Sequence, residues 1–174
     1  PVDYFCYATM KKMNEQGYFP YTPAMTLLRG LRASMDMMFD EGLENLFARH
    51  HRLASGVRAA VTAWGLQNCS VDAKWHSDTV TAIRVPEDID ANNVIKTAYH
   101  TYGVSLGAGL GPLNGNVFRI GHLGWLNETM VLQALGGVEM AMRDVGVKFL
   151  PGCGVGAAIE KYTDTKAPMV LAAE

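Results

Sequence analysis

The chain's apolar residues change period about a third of the way along. Over residues 3–16 they suggest a short amphipathic helix that ends at Gly17. After a proline-bearing segment, Leu27, Leu28, Leu31, Met35 and Met38 fall at helical spacing and predict a helix to about residue 40. Thr22 is a good N-cap for it, and Pro23 suits its first turn. Gly42 interrupts this helix. A second follows to Trp64, with Leu43, Leu46, Phe47, Leu53, Val57 and Val61 as its buried side and Gly65 as its stop.

From residue 66 the pattern alternates. Residues 66–69 and the β-branched 79–85 read as strands. Asp90 caps a helix to about Tyr102. A short strand at 104–106 runs into Gly107-Ala108-Gly109-Leu110-Gly111. Another strand covers 117–121, a long helix 126–145 and a short helix 155–162. The order β–β–α–β–β–α predicts an α+β domain: a small mixed or antiparallel sheet with helices on one face. On this reading the domain is expected over 41–174, with residues 1–40 as a segment leading into it.

Composition narrows the function classes. The 174 residues are 49% hydrophobic and 18% charged, with a formal net charge of −2. Such a chain buries a core rather than remaining disordered. It also lacks the basic excess that nucleic acid or an anionic membrane attracts. No apolar run reaches the length of a membrane span. Cys6, Cys69 and Cys153 are an odd, scattered set without zinc spacing, which points to a reducing, cytoplasmic setting. The five histidines show no metal pattern; solvated or capping roles suit them, and only His122, just past the 117–121 strand, stands out. The ten methionines lie mostly on helix faces, as core filler.

Two glycine-rich runs, 107–111 and 152–156, satisfy neither phosphate-loop spacing and read as turns that need glycine, the first able to admit a ligand near its backbone. Arg119 is more informative. Strand alternation sends Phe118 and Ile120 to one face and Arg119 to the other. A guanidinium there needs an anion, a structural salt bridge or a route to water. Tyr18, Phe19, Tyr21 and Thr22 cluster before a helix N-terminus, as a cap with aromatic packing or as a phosphate site.

Four segments, GYFPYTPA (17–24), GLENLFARH (42–50), SLGAGLG (105–111) and VFRIGHLG (117–124), occur in an order that resembles the class V aminotransferases, in the serine–glyoxylate branch close to the alanine–glyoxylate enzymes. The resemblance implies pyridoxal 5'-phosphate as cofactor and a homodimer. It also implies the small C-terminal α+β domain of a fold-type I transferase, preceded by linking helices. Amino acids and 2-oxo acids are the implied substrates, with serine, alanine or aspartate as donor and glyoxylate as acceptor. It gives Arg119 the substrate carboxylate and Thr22 the cofactor phosphate of the partner subunit. A cofactor-touching tyrosine of the relatives corresponds to Phe19, beside Tyr18. The family's catalytic lysine follows a serine–glutamine pair and precedes glycine in an N-terminal large domain. None of Lys11, Lys12, Lys74, Lys96, Lys148, Lys161 or Lys166 has that context. The chain is therefore expected to hold no catalytic residue and to depend on that domain. A small regulatory domain that binds amino acids without catalysis is the alternative.

Overall fold

A computed structural model of the chain describes residues 5–165. It divides into two compact units, residues 1–43 and 44–174. Residues 3 and 4 of the expected first helix, and Lys166, lie outside the described residues.

In the first unit, α1 (Tyr7–Glu15) and α2 (Met25–Glu41) flank the proline segment. Neither contains a buried residue. Helix α2 is amphipathic, yet Leu27, Leu28, Leu31, Met35 and Met38 all stay exposed. Its N-cap is Ala24, which makes no side-chain cap, so Thr22 stands outside the helix. The reason lies at Pro23: its carbonyl accepts from the Met25 amide, and this tight bend delays the first helical turn.

The second unit contains the rest of α3 (Leu43–Ala63) and then β1 (Gln67–Asn68), β2 (Val80–Arg84), α4 (Ala91–Tyr102), β3 (Gly107–Ala108), β4 (Val117–Gly121), α5 (Glu128–Asp144) and α6 (Cys153–Asp164). The sheet is wholly antiparallel, in the order β1-β2-β4-β3. Caps fall where side-chain chemistry puts them: Asp90 accepts from the Asn92 amide and Asn127 from the Met130 amide. The third short strand begins three residues later than the sequence suggests. Val104 leaves the ladder to pack on α5, where Gly137 has no side chain to obstruct it.

Thr81 and Ile83 of β2 pair with Ile120 and Phe118 of β4 on one face, and all four are buried. Helices α3 to α6 cover that face, with Leu53, Val57, Val94, Leu135, Val138, Met142 and Tyr162 in one core. The core begins late on α3: Leu43 and Phe47 are exposed, whereas Leu53, Val57 and Val61 are buried. Gly56 lets the Tyr162 ring lie on α3, since a Cβ there would fall 2.2 Å from the ring. The methionines are not core filler, because Met142 alone among those described is buried.

Candidate functional site

Arg119 lies on the opposite face of the sheet from Phe118 and Ile120. Register places Ala82 of β2 and Gly107 of β3 on either side of Arg119, so one row across three strands reads small–long–small. The side chain is half-buried. Its Nε donates to the Ala108 carbonyl at 2.9 Å. No carboxylate pairs with it among the described residues, so the structural salt bridge allowed by the sequence is absent. The Nη1–Nη2 edge of the guanidinium has no acceptor among the described residues. A planar fork held at one side and open at its end suits a carboxylate.

The 107–111 run is shaped by close approach more than by turn geometry. A Cβ at Gly109 would lie 2.1 Å from the Leu113 carbonyl oxygen, which is backbone and cannot yield. At Gly107 it would meet the Arg119 side chain instead.

Beyond β4, the 122–126 turn is clamped from two sides. His50 Nε2 accepts from the Gly124 amide at 3.1 Å, so its Nδ1 carries the hydrogen given to the Leu46 carbonyl at 2.8 Å. Arg49 donates to the Gly124 and Leu126 carbonyls and lies over the Trp125 ring. His122 is completely buried, not solvated. Its Nδ1 donates to the Asp78 carbonyl at 3.0 Å, which leaves Nε2 to accept from the Thr81 hydroxyl at 2.9 Å. It fastens the end of the Arg119 strand to β2. Asp78 meanwhile binds His51 at 3.0 Å and Arg58 at 3.3 Å. Burial works to raise its carboxyl, but those hydrogen bonds and charges prevail and hold it below the usual carboxylate range.

Burial pushes the His122 imidazole below its ordinary 6.5, and the positive charge of Arg58 adds to this against the pull of the Asp78 carbonyl. The unfolded chain therefore binds the extra proton first as pH falls. The stabilisation from His122 is fully present above 6.5 and is lost on acidification toward the lower folded value. Urea titrations between pH 7 and pH 5 should show stability falling, by at most about 1.4 kcal/mol per pH unit from this group. His122→Asn should flatten that slope; an unchanged slope would place the dependence on another group.

The 152–156 run is neither a simple turn nor an empty anion loop. It forms the start of α6, and the carboxylate of Glu139 from α5 fills it. Glu139 is only 5% exposed. Its Oε1 accepts from the Gly154 and Val155 amides at 2.8 and 3.1 Å and from the Trp64 indole at 2.9 Å, while Oε2 accepts from the Gly152 amide at 2.7 Å. Sequence reading missed this group. The signal was an acid on the apolar stripe Leu135–Val138–Met142.

In the first unit, the 17–23 segment lines a shallow, open depression. Tyr18 and Phe19 are 67% and 56% exposed. Thr22 is exposed too, and its hydroxyl has no protein partner among the described residues. Nor do the described residues hold a His/Cys/Asp/Glu group able to bind a metal, or a helix long and apolar enough to cross a membrane.

No family profile matches the chain. Individual proteins do. The serine–glyoxylate aminotransferase of Hyphomicrobium methylovorum is 58% identical over 160 residues, covering 92% of this chain and 40% of the relative. The L-aspartate–glyoxylate aminotransferase of Paracoccus denitrificans is 53% identical, covering 86% and 38%. Among solved structures, the pyridoxamine–pyruvate aminotransferase of Mesorhizobium loti superposes with a TM-score of 0.81 at 34% identity, covering 84% of this chain and 38% of that one. The chain thus spans about two-fifths of the length of the relatives it matches.

Proposed function

The chain belongs to the family of the serine–glyoxylate aminotransferases, and we propose that it is the part of such an enzyme that grips the substrate carboxylate and lends a phosphate contact to a partner subunit. The reaction moves the amino group of a small amino acid, serine foremost, to glyoxylate. The observation that carries this reading is Arg119: a half-buried guanidinium bordered in the ladder by Ala82 and Gly107, with no acceptor on its outer edge among the described residues.

Amino donor and 2-oxo acceptor share an α-carboxylate and differ at Cα. A fork that holds the carboxylate serves both half-reactions and fixes where Cα lies. Pyridoxal phosphate, when bound, supplies the electron sink for the bonds broken at Cα. This chain's residues fit the margin of that group. The Thr22 hydroxyl is available to a phosphate, and Tyr18 and Phe19 offer exposed rings beside it. The reading takes the lysine from the large domain: all six described lysines are exposed, whereas a catalytic amine needs a desolvated or cationic setting to lose its proton near neutral pH. The exposed apolar stripe of α2 supports the same arrangement, since it would pack on the large domain and the partner subunit of a homodimer.

The test compares the 174-residue chain with a longer protein that joins it to the large domain. With pyridoxal phosphate, serine and glyoxylate, only the longer protein should form hydroxypyruvate above the free-cofactor rate. In that protein Thr22→Val should weaken cofactor binding and spare the fold. Activity of the 174-residue chain alone would overturn this division of labour.

A further inference from the structure

We propose that Gly107 and the Ala108 carbonyl are positioning elements for Arg119, which together force a substrate carboxylate to bind end-on, at Nη1 and Nη2. This rests on the proposed role of Arg119 as the carboxylate clamp.

A guanidinium offers two bidentate edges, Nε with one Nη, or Nη1 with Nη2. Here the first is closed. Nε donates to the Ala108 carbonyl at 2.9 Å, and a carboxylate approaching that side would meet the carbonyl oxygen and the backbone of β3. The second edge has no acceptor among the described residues. What lets Nε reach its acceptor is the missing side chain at Gly107, the residue directly paired with Arg119. A Cβ there would stand 3.1 Å from Nε, 3.2 Å from the Arg119 Cβ and 3.3 Å from Nη2. One of these atoms belongs to the stem and two to the guanidinium itself, so the arginine side chain would have to give by a few tenths of an ångström along its length, moving Nε from its acceptor and re-aiming the fork. The usual reason for glycine does not apply, because Gly107 is absent from the positive-φ residues. It sits in a β-ladder, where glycine is otherwise unfavourable. Close approach of the arginine is therefore the reason for glycine here.

The three atoms nearest to a Cβ at Gly107 all belong to Arg119, so the geometry makes Gly107 act through that side chain. On the other flank of the row, Ala82 pairs with Arg119 and carries only a methyl group. The fork is thus fixed by a backbone acceptor and two small neighbours. None of them is ionisable, so its direction should not depend on pH.

The experiment uses the complete enzyme and reads the clamp with propionate, a carboxylate that cannot react, as competitive inhibitor. Gly107→Ala should raise the inhibition constant and the KM for serine together, by about fivefold, with Gly107→Val worse, because a misplacement of about 1 Å can cost about a hundredfold and the shift needed here is a few tenths of that. The decisive comparison is the double variant. In an Arg119→Ala background, Gly107→Ala should add nothing. A further large loss there would mean that Gly107 acts on the fold, and would overturn the proposal. Propionate inhibition that responds to Arg119→Lys but not to Gly107→Ala would also overturn it while sparing the clamp. Inhibition indifferent to Arg119→Lys would instead remove the clamp. Should the glycine variants fail to fold, the native protein still decides. The Arg119 Nε–H, assigned by its loss in Arg119→Lys, should exchange slowly with solvent; exchange as fast as a free arginine's would overturn the hold by Ala108.

Discussion

Replacing Glu139 with alanine is expected to cost about 3–5 kcal/mol, a large part of the stability of a domain this size. Three backbone amides at the start of α6 and the Trp64 indole give their hydrogens to this one carboxylate. The first turn of a helix leaves such donors unpaired unless something caps them, and the N-cap here is Gly152, which has no side chain to do so. The carboxylate is also favoured by the helix dipole. With alanine, four donors lose their acceptor in a buried place that water does not readily fill. Glutamine should cost less, about 2 kcal/mol, since its carbonyl oxygen keeps part of the set while its amide group meets a donor. Denaturant midpoints measure both. Trp64 is buried while Trp75 and Trp125 are 73% and 62% exposed, so a red shift of the buried emission should accompany the loss. A Glu139→Ala variant with an unchanged midpoint would show that the four donors find other acceptors.

The site shows which features a sequence reader can reach. Arg119 was legible because alternation along five residues separates it from Phe118 and Ile120 whatever the rest of the chain does. The capped start of α4 was legible because Asp90 bonds to an amide two residues away, whereas the start of α5 falls two residues later than expected, at the Asn127 cap. The early end to the ladder at Val104 was not, since it depends on Gly137 thirty-three residues on. Nor was Glu139, whose partners are Trp64 just past α3 and the amides of Gly152, Gly154 and Val155 at the start of α6. The misplaced N-cap at Thr22 has a local cause, a proline bend that composition suggests but does not position. His122 stands out in the sequence only by its place after the 117–121 strand, since nothing adjacent announces that the Asp78 carbonyl and the Thr81 hydroxyl will enclose it.

Arg119→Lys in the complete enzyme is expected to lower kcat/KM by about 10- to 150-fold, equivalent to about 1.5–3 kcal/mol of transition-state binding. Lysine keeps the charge but has no planar fork, so it can meet one carboxylate oxygen well and not both. It also cannot hold two bonds in opposite directions, one to the Ala108 carbonyl and one to the substrate. Arg119→Ala should be worse, since the charge goes too. The pattern across substrates is more telling than the size. Serine and glyoxylate share only the α-carboxylate, so donor and acceptor should lose similar factors, and a non-carboxylate amine should be unaffected. Stability should change little, because Arg119 has no ion-pair partner among the described residues and gives up one hydrogen bond to backbone, worth about 1 kcal/mol. A loss confined to the donor would assign Arg119 to the amino or side-chain end of serine, and equal kcat/KM for both substrates before and after substitution would remove it from the site.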